Sequence, residues 1–295
     1  MINPYCTNCN YKKYKINGNC SRQDSPDKYS MRCAPPWTSI KHKFVEGYCE
    51  IVTKAMINQS FQMCYIDLYS GPGKYFQRPS GQIFDGSPLI ANKYAFNKYI
   101  FIDINHKNIE ALRARVDNQE NKYMFEADSN SISDDINEAI PSKSLSFCLA
   151  DPENMRQLKF STLMAIVSNK KVDLLINFPY WMDFKRAAKE LVTNNSTDNP
   201  LDLYFGTDEW KKIFNAHAKR FTDGLFIELL ELYLSQFYKI GYVPPSKGLN
   251  YEIIKNTRNR PIYLLLFLSK NKLGYKFWSE IVKYTKEITL SFDFG

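Results

Sequence analysis

The sequence predicts an α/β fold built on a parallel, doubly wound sheet. Five short apolar runs alternate with helical patterns, and this alternation is typical of parallel strands joined by right-handed crossovers. The first run ends at Asp67 and is followed by Gly71-Pro72-Gly73. A glycine turn at the carboxyl end of a buried strand predicts a ligand site, because backbone without a Cβ can approach a ligand closely.

The individual elements follow from periodicity and from helix-start signals. Residues 39–56 are amphipathic, since their apolar side chains recur at helical spacing. Ser87-Pro88 is a good N-cap followed by an N1 proline. The predicted strands are 63–68, 98–103, 122–127, 144–150 and 172–178, with late strands at 251–254 and 262–268. The predicted helices are 39–56, 87–96, 106–116, 131–139, 158–168, 225–238 and 273–288.

Four segments result from this interpretation. Residues 1–37 form a polar, cysteine-rich head that cannot bury a core of its own. Residues 38–178 carry the first five strands of the main domain. Residues 179–222 interrupt the alternation with an aromatic-rich helical insert, and residues 223–295 complete the domain.

The formal charge of the chain is +8, from 39 Lys and Arg against 31 Asp and Glu. This balance suits a polyanionic partner such as a nucleic acid, but a lysine- and asparagine-rich composition inherited from an AT-rich genome explains it equally well. No run approaches the roughly 18 apolar residues of a spanning helix, and the N-terminus shows no secretory pattern. We therefore expect a cytoplasmic protein that does not engage a membrane.

Four of the seven cysteines fall within the head. In a cytosolic protein, clustered cysteines indicate a metal rather than disulfides. The spacing C-x2-C-x10-C-x12-C can supply four thiolates to a tetrahedral Zn²⁺, although its second half lacks the C-x-x-C of a regular zinc ribbon. An iron–sulfur cluster on the same ligands and a head without metal are the alternatives. The candidate ligands are Cys6, Cys9, Cys20 and Cys33.

A polar or acidic residue stands at the end of each of the five strands. Since the carboxyl ends of parallel strands meet at one edge of a sheet, these side chains are expected to face one crevice. Asp103 lies 30 residues after Gly73, and the turn is not G-x-G-x-x-G. S-adenosylmethionine is therefore favoured over a nicotinamide dinucleotide as the ligand. A Mg²⁺-dependent nuclease built on the same acids is an alternative by residue type. The five residues are Asp67, Asp103, Asp128, Asp151 and Asn177.

With these residues in view, the chain resembles the three-Cys-motif partner protein (TcmP) family of Rossmann-like methyltransferases. The resemblance covers about residues 40–285 and implies a seven-stranded sheet of order 3-2-1-4-5-7-6 with the last strand antiparallel. It also implies a separate protein partner that carries a three-cysteine, radical-SAM-like motif. The matching segments are YIDLYSGPGKY (65–75), GSPLIA (86–91), FIDIN (101–105), LADPENMRQLKFSTL (149–163), VDLLINFP (172–179), FGTDEW (205–210) and YLLLFLSKNKLGYKFWSEI (263–281).

The resemblance implies roles for residues around the crevice. Gly71 and Gly73 would approach the methionine part of the cofactor, and Asp67 would lie near its amino group. Asp103 would bind the ribose, and Asp128 the adenine amino group. The expected cofactor-binding set is Asp67, Tyr69, Gly71, Gly73, Ser87, Asp103, Ile104, Asp128, Ser129 and Asp151.

The catalytic candidates are Asp151, Asn177 and Tyr180. Amino-methyltransferases hold a D/N-P-P-Y motif after the fourth strand, whereas this chain has Asp151-Pro152-Glu153-Asn154 there. Asn177-Phe178-Pro179-Tyr180 is similar to that motif but follows the fifth strand. We expect an S-adenosylmethionine-dependent methyltransferase whose acceptor is a nucleic acid base, with RNA favoured. Modification of a protein or a small metabolite, and a non-catalytic cofactor-binding subunit, are the alternatives.

Overall fold

The computed structural model describes residues 15–16, 19–23, 26–78, 80–117, 120–179, 182–246 and 250–292. For residues 15–16, 19–23, 182 and 287–292 the description covers the backbone alone. The strands are β1 (Lys15–Ile16), β2 (Asn19–Gln23), β3 (Ser30–Ala34), β4 (Gln62–Asp67), β5 (Lys74–Gln77), β6 (Gln82–Asp85), β7 (Lys98–Asp103), β8 (Lys122–Glu126), β9 (Ser144–Ala150), β10 (Lys171–Phe178), β11 (Tyr251–Lys255) and β12 (Pro261–Leu268).

The helices alternate with the strands as the sequence predicts. The predicted helix 87–96 is shorter in the structure, because a turn begins at Asn92. A short 3₁₀ turn, Met155–Gln157, follows the fourth strand of the main sheet. The helices are α1 (Thr38–Met56), α2 (Ser87–Ala91), α3 (His106–Arg115), α4 (Ser133–Ala139), α5 (Phe160–Val167), α6 (Met182–Leu191), α7 (Pro200–Phe205), α8 (Glu209–Ala216), α9 (Asp223–Tyr238) and α10 (Lys272–Phe292).

Seven strands form the main sheet in the order β11-β12-β10-β9-β4-β7-β8. The pairs β4–β7, β4–β9, β7–β8 and β9–β10 are parallel. Strand β12 runs antiparallel to both of its neighbours. Numbered along the chain, this is the order 3-2-1-4-5-7-6 with an antiparallel last strand, so the expected architecture is confirmed.

The central strand β4 is buried on both faces of the main sheet, which is why it reads as an apolar run. Its residues alternate between two cores: Cys64 and Ile66 face one, and Met63 and Tyr65 face the other. Helices α4 to α9 contribute to the first core. Helices α1, α2, α3 and α10 contribute to the second. Polar side chains are therefore displaced to the ends of the strands.

A second, five-stranded sheet joins the head to the segment after the glycine turn. Its order is β1-β2-β3-β5-β6, and the pair β3–β5 is parallel, with Arg32 opposite Tyr75 and Ala34 opposite Gln77. Strands β5 and β6 form a β-hairpin directly after the glycine turn, and β3 supplies the neighbouring strand on which the hairpin pairs. This small sheet makes the end of the head continuous with the segment that leaves the glycine turn.

The predicted insert is helical over α6, α7 and α8. Four of its aromatic side chains, Phe184, Tyr204, Phe205 and Trp210, are fully buried core residues. Phe184 makes edge-on contacts with Phe205 and Trp210 at ring-centroid distances of 6.1 and 5.9 Å. These rings stabilise the packing of the insert on the main sheet and are not exposed for stacking on a base.

Gly206 ends α7 in a left-handed conformation with φ +69°, and a Cβ built there would lie 2.6 Å from Phe160 Cδ1. We predict that Gly206→Ala lowers the free energy of unfolding by about 2–4 kcal/mol, because backbone strain and overpacking add. Gly241 also has a positive φ, +92°, but nothing lies within 4 Å of its built Cβ. Gly241→Ala is therefore the control, and urea denaturation of both variants separates the cost of the clash at Gly206 from the cost of the positive φ. An equal loss of unfolding free energy in the two variants would contradict a clash with Phe160.

Candidate active site

A cavity of about 1080 Å³ opens at the carboxyl ends of the parallel strands. Its floor is formed by the ends of β4, β7 and β9, and its sides by α1 and the small sheet. Nine of the ten predicted cofactor-binding residues line it: Tyr69, Gly71, Gly73, Ser87, Asp103, Ile104, Asp128, Ser129 and Asp151. The fold therefore gathers into one place residues that lie up to 82 positions apart, from Tyr69 to Asp151.

The glycine turn is held in shape by its neighbours. Gly71 and Gly73 have φ values of +63° and +83°, which other residue types adopt only with strain. The Gly71 amide donates to Asp103 Oδ2 at 2.9 Å, and the Gly86 amide donates to the Gly73 carbonyl at 2.6 Å. A Cβ on Gly71 would meet the Arg32 side chain at 3.6 Å. The turn thus lies between the second strand of the main sheet and the small sheet.

The carboxylate of Asp103 accepts three hydrogen bonds at this edge. In addition to the Gly71 amide, its Oδ1 accepts from the Asn105 amide at 2.8 Å and from Asn108 Nδ2 at 3.0 Å. A carboxylate has about four lone-pair positions, so Oδ2 keeps one for a further donor. Ile104 follows it with 72% of its surface exposed, and it also lines the cavity. An exposed isoleucine beside a free carboxylate position suits the flat, apolar face of a ligand ring.

Asp128 and the loops around it close the far end of the cavity. Asp128 Oδ1 accepts from the amide and from Nδ2 of Asn130, at 3.0 and 2.9 Å. Asn130 Oδ1 in turn accepts from Thr162 Oγ1 at 2.7 Å. Tyr69 donates its hydroxyl to the Gln157 carbonyl at 2.8 Å. These bonds connect the ends of strands β4, β8 and β9, so the cavity wall is one connected network.

Asp67 is placed differently from the rest of the predicted set. It is fully buried beneath the cavity and is absent from its lining. It accepts from Tyr65 Oη at 3.2 Å and from the Tyr69 amide at 3.2 Å. Burial raises the pKa of this carboxyl to about 7, and a hydrogen bond from Ser87 opposes the rise. Its visible role is to hold the start of the glycine turn.

The acid at the end of β9 is paired with a lysine that the sequence analysis did not single out. Lys41 Nζ contacts Asp151 Oδ2, and the lysine side chain is only 9% exposed. Asn177 Nδ2 donates to the other oxygen, Oδ1, at 2.8 Å. Lys41, Asp151 and Asn177 all line the cavity. Two of the three catalytic candidates are therefore brought together, while Tyr180 lies outside the described residues.

Lys41 could have been found from its position on α1. It precedes Phe44, Val45 and Tyr48 by three, four and seven residues, so it occupies the apolar stripe of the helix. A lysine in such a stripe needs a buried partner, and Asp151 supplies it. His42, the next residue on the same helix, also lines the cavity. Burial, and then the charge of Lys41, lower its pKa well below the usual value, so its imidazole is neutral at neutral pH.

Arg115 ties the head to the glycine turn. Its side chain is 3% exposed, and it donates to both oxygens of Asp27, at 2.7 and 2.9 Å. It also donates to the carbonyls of Ser30 at 2.9 Å and Pro72 at 2.5 Å. The hydrogen bond from Arg115 lowers the pKa of Asp27 to about 2. One guanidinium thus fixes the approach to β3 against the turn.

The predicted metal site lies mostly outside the described residues. Cys6 and Cys9 fall outside them, and for Cys20 the backbone alone is described. Cys33 is half-buried in β3 and lines the cavity. Within the described ranges, no three His, Cys, Asp or Glu side chains are grouped as metal ligands would be. The four-thiolate site therefore stays a prediction.

No protein-family model matches this chain, and no curated protein matches it. Among solved structures, LPL1258 from Legionella pneumophila, of the family model DUF519, has a TM-score of 0.50 at 11% identity and covers 86% of this chain and 91% of its own. An S-adenosylmethionine-dependent methyltransferase from Mesorhizobium loti has a TM-score of 0.35 at 16% identity, with coverage of 76% and 99%. The plantazolicin methyltransferase BpumL, solved with SAH, has a TM-score of 0.37 at 11% identity, with coverage of 79% and 85%.

The first of these similarities concerns the fold alone, and the other two are too distant to bear on function. No helix within the described ranges combines the length and apolar character that a bilayer-spanning helix needs. Function therefore has to be argued from the residues of the cavity.

The raised pKa of Asp67 predicts a pH dependence of stability. Its folded value, about 7, lies above the unfolded value of about 3.9, so its contribution to the free energy of unfolding is lost as pH rises through this window. We predict that Asp67→Asn gains stability relative to the wild type between about pH 4 and pH 7. Urea denaturation across that range measures the difference. Asp117→Asn, at an exposed position, is the control, and a pH-independent difference for Asp67→Asn would contradict the prediction.

Removing the guanidinium of Arg115 takes this donor away from Asp27 and from the carbonyls of Tyr29, Ser30 and Pro72. We predict that Arg115→Met lowers the free energy of unfolding by about 2 kcal/mol or more, and that Arg115→Lys recovers little, because an ammonium cannot reproduce the planar fork. Denaturant titration measures both. Arg113→Met, at an exposed position on the same helix, should be nearly neutral. If Arg115→Met lowered the free energy of unfolding no more than Arg113→Met does, the stabilising role of Arg115 would be refuted.

Proposed function

We propose that this protein is an S-adenosylmethionine-dependent methyltransferase. The observation that carries the proposal is the single cavity in which the glycine turn, Asp103, Asp128 and Asp151 meet. The strand order supports it, because ligands of doubly wound sheets bind outside the carboxyl ends of the strands. A nucleoside joined to a charged amino acid needs a close backbone turn at one end and carboxylates at the other, and the cavity offers both.

The residues present fit such a cofactor. Gly71 leaves open the space that a Cβ would take beside Arg32, where the methionine part would lie. The remaining lone pair on Asp103 Oδ2 would accept from a ribose hydroxyl. Ile104 would cover a face of the adenine, and Asp128 would accept from its amino group. When bound, the cofactor supplies a methyl group already activated by a sulfonium, so the chain has mainly to orient the acceptor and exclude water.

The acceptor that we propose is a nucleic acid base, with RNA favoured. The formal charge of +8 supports a polyanionic substrate. The cavity wall also carries the half-buried aromatic residues Trp37 and Tyr69, and single-stranded bases are recognised by stacking on such rings. The buried aromatics of the insert give no support to this choice. The support therefore comes from the wall of the cavity itself.

Calorimetric titration with S-adenosylmethionine and S-adenosylhomocysteine tests the proposal. We predict micromolar binding that Asp103→Ala weakens about tenfold or more, since the variant removes both the ribose acceptor and the anchor of the Gly71 amide. Asp117→Ala, at an exposed position, is the matched control, and circular dichroism checks that each variant folds. Absence of binding to well-folded wild-type protein would refute the methyltransferase proposal.

A further inference from the structure

We propose that Asn177 Oδ1 is the atom that holds the methyl acceptor, and that the acceptor is the exocyclic amino group of a nucleobase. Asp151 and Lys41 are positioning residues in this assignment. The inference rests on the proposed function, because it concerns the substrate half of the same cavity. Asp151 and Asn177 are both catalytic candidates on sequence grounds, and the contacts between them favour Asn177 as the residue that holds the acceptor.

The orientation of the Asn177 amide follows from its neighbours. Its nitrogen lies 2.8 Å from Asp151 Oδ1 and 3.3 Å from the Pro152 carbonyl oxygen. Both neighbours are acceptors only, so the reversed amide would place oxygen against oxygen. The hydrogen-bond network therefore assigns Nδ2 to Asp151. The opposite atom, Oδ1, is left as an acceptor.

Oδ1 is shielded from solvent and has no hydrogen-bond partner among the described residues. A buried acceptor without a donor is costly, and such atoms in native structures call for an explanation. Asn177 lines the cavity, so a ligand that enters can supply the missing donor once the shielding side chains turn aside. An N–H group matches this atom, whereas a carbonyl would face it with a second acceptor.

Asp151 is poorly placed to hold the acceptor directly. One of its oxygens accepts from Asn177 and the other from Lys41. Lys41 is buried, and its ammonium group contacts the carboxylate and holds it in place. The carboxylate in turn fixes the Asn177 amide. Contacts thus run from Lys41 to Asp151 and on to Asn177, and they hold Asn177 Oδ1 in a fixed orientation.

The chemistry of an amide oxygen favours nitrogen as the acceptor atom. The nitrogen lone pair would form the bond to the methyl carbon, the carbon–sulfur bond would break with its electron pair going to sulfur, and one N–H proton would leave to water. The other hydrogen of the amino group can remain hydrogen-bonded to Oδ1 throughout. A hydroxyl acceptor would instead need a base to take its proton, and neither an amide oxygen nor a carboxylate paired with lysine is suited to that.

The test uses nucleotide pairs that differ in one group. Wild-type protein is first saturated with S-adenosylhomocysteine and then titrated with AMP against IMP and with CMP against UMP. We predict that at least one amino nucleotide binds about tenfold more tightly than its keto counterpart. Asn177→Leu should abolish that preference while binding of S-adenosylhomocysteine persists. Asn177→Ala replaces it if the leucine variant does not fold.

Variants of Lys41 separate positioning from simple stability. Lys41→Met should reduce the preference for the amino nucleotide, and Lys41→Arg should recover it in part, because arginine also donates to the carboxylate. Lys54→Met, at a site 73% exposed on the same helix, is the control. Equal binding or no binding of both members of each pair by loaded wild-type protein, or a preference that survives in Asn177→Leu, would overturn the assignment. Failure to bind S-adenosylhomocysteine would instead refute the proposed function itself.

Discussion

The hydrogen bond from the Gly71 amide to Asp103 is the contact on which the cavity depends. It joins the turn after the first strand to the end of the second, so the space between them cannot collapse or widen independently. Ser70 reinforces the joint, since its amide donates to the Ile102 carbonyl at 2.8 Å and its hydroxyl accepts from the Ile102 amide at 3.0 Å. The register of β4 on β7 thereby sets the position of the carboxylate. The other residues proposed to contact the cofactor lie around this connection between the glycine turn and β7.

Most of the main sheet could be predicted because each of its strands is recognisable from its own residues. A strand buried on both faces reads as an apolar run, and the residue that ends it is polar because the core ends there. Asp103 and Asp128 were identifiable for this reason. The small sheet could not be predicted, because the pairing of β3 with β5 joins residues about 40 positions apart and neither strand has a strong pattern of its own.

Two features of the site show what residue type alone leaves out. Asp67 and Asp151 both end apolar strands, yet one lies beneath the cavity and the other at its surface. Lys41 reaches Asp151 from a helix that precedes the sheet, a contact that spans 110 positions. The aromatic residues of the insert illustrate the same limit, because a tryptophan such as Trp210 has the same sequence signature in a core as on a binding surface.

The parallel pair β3–β5 has a consequence for the synthesis of the chain. Strand β3 is made before β5, so it finds its partner only after residues 74–77 have been made. The guanidinium that fixes Asp27 comes later still, at position 115. Arg32 also pairs with Glu153, so residues 27–34 form all their ion pairs only after about 120 further residues have been made. The small sheet and its ion pairs are therefore completed late in synthesis.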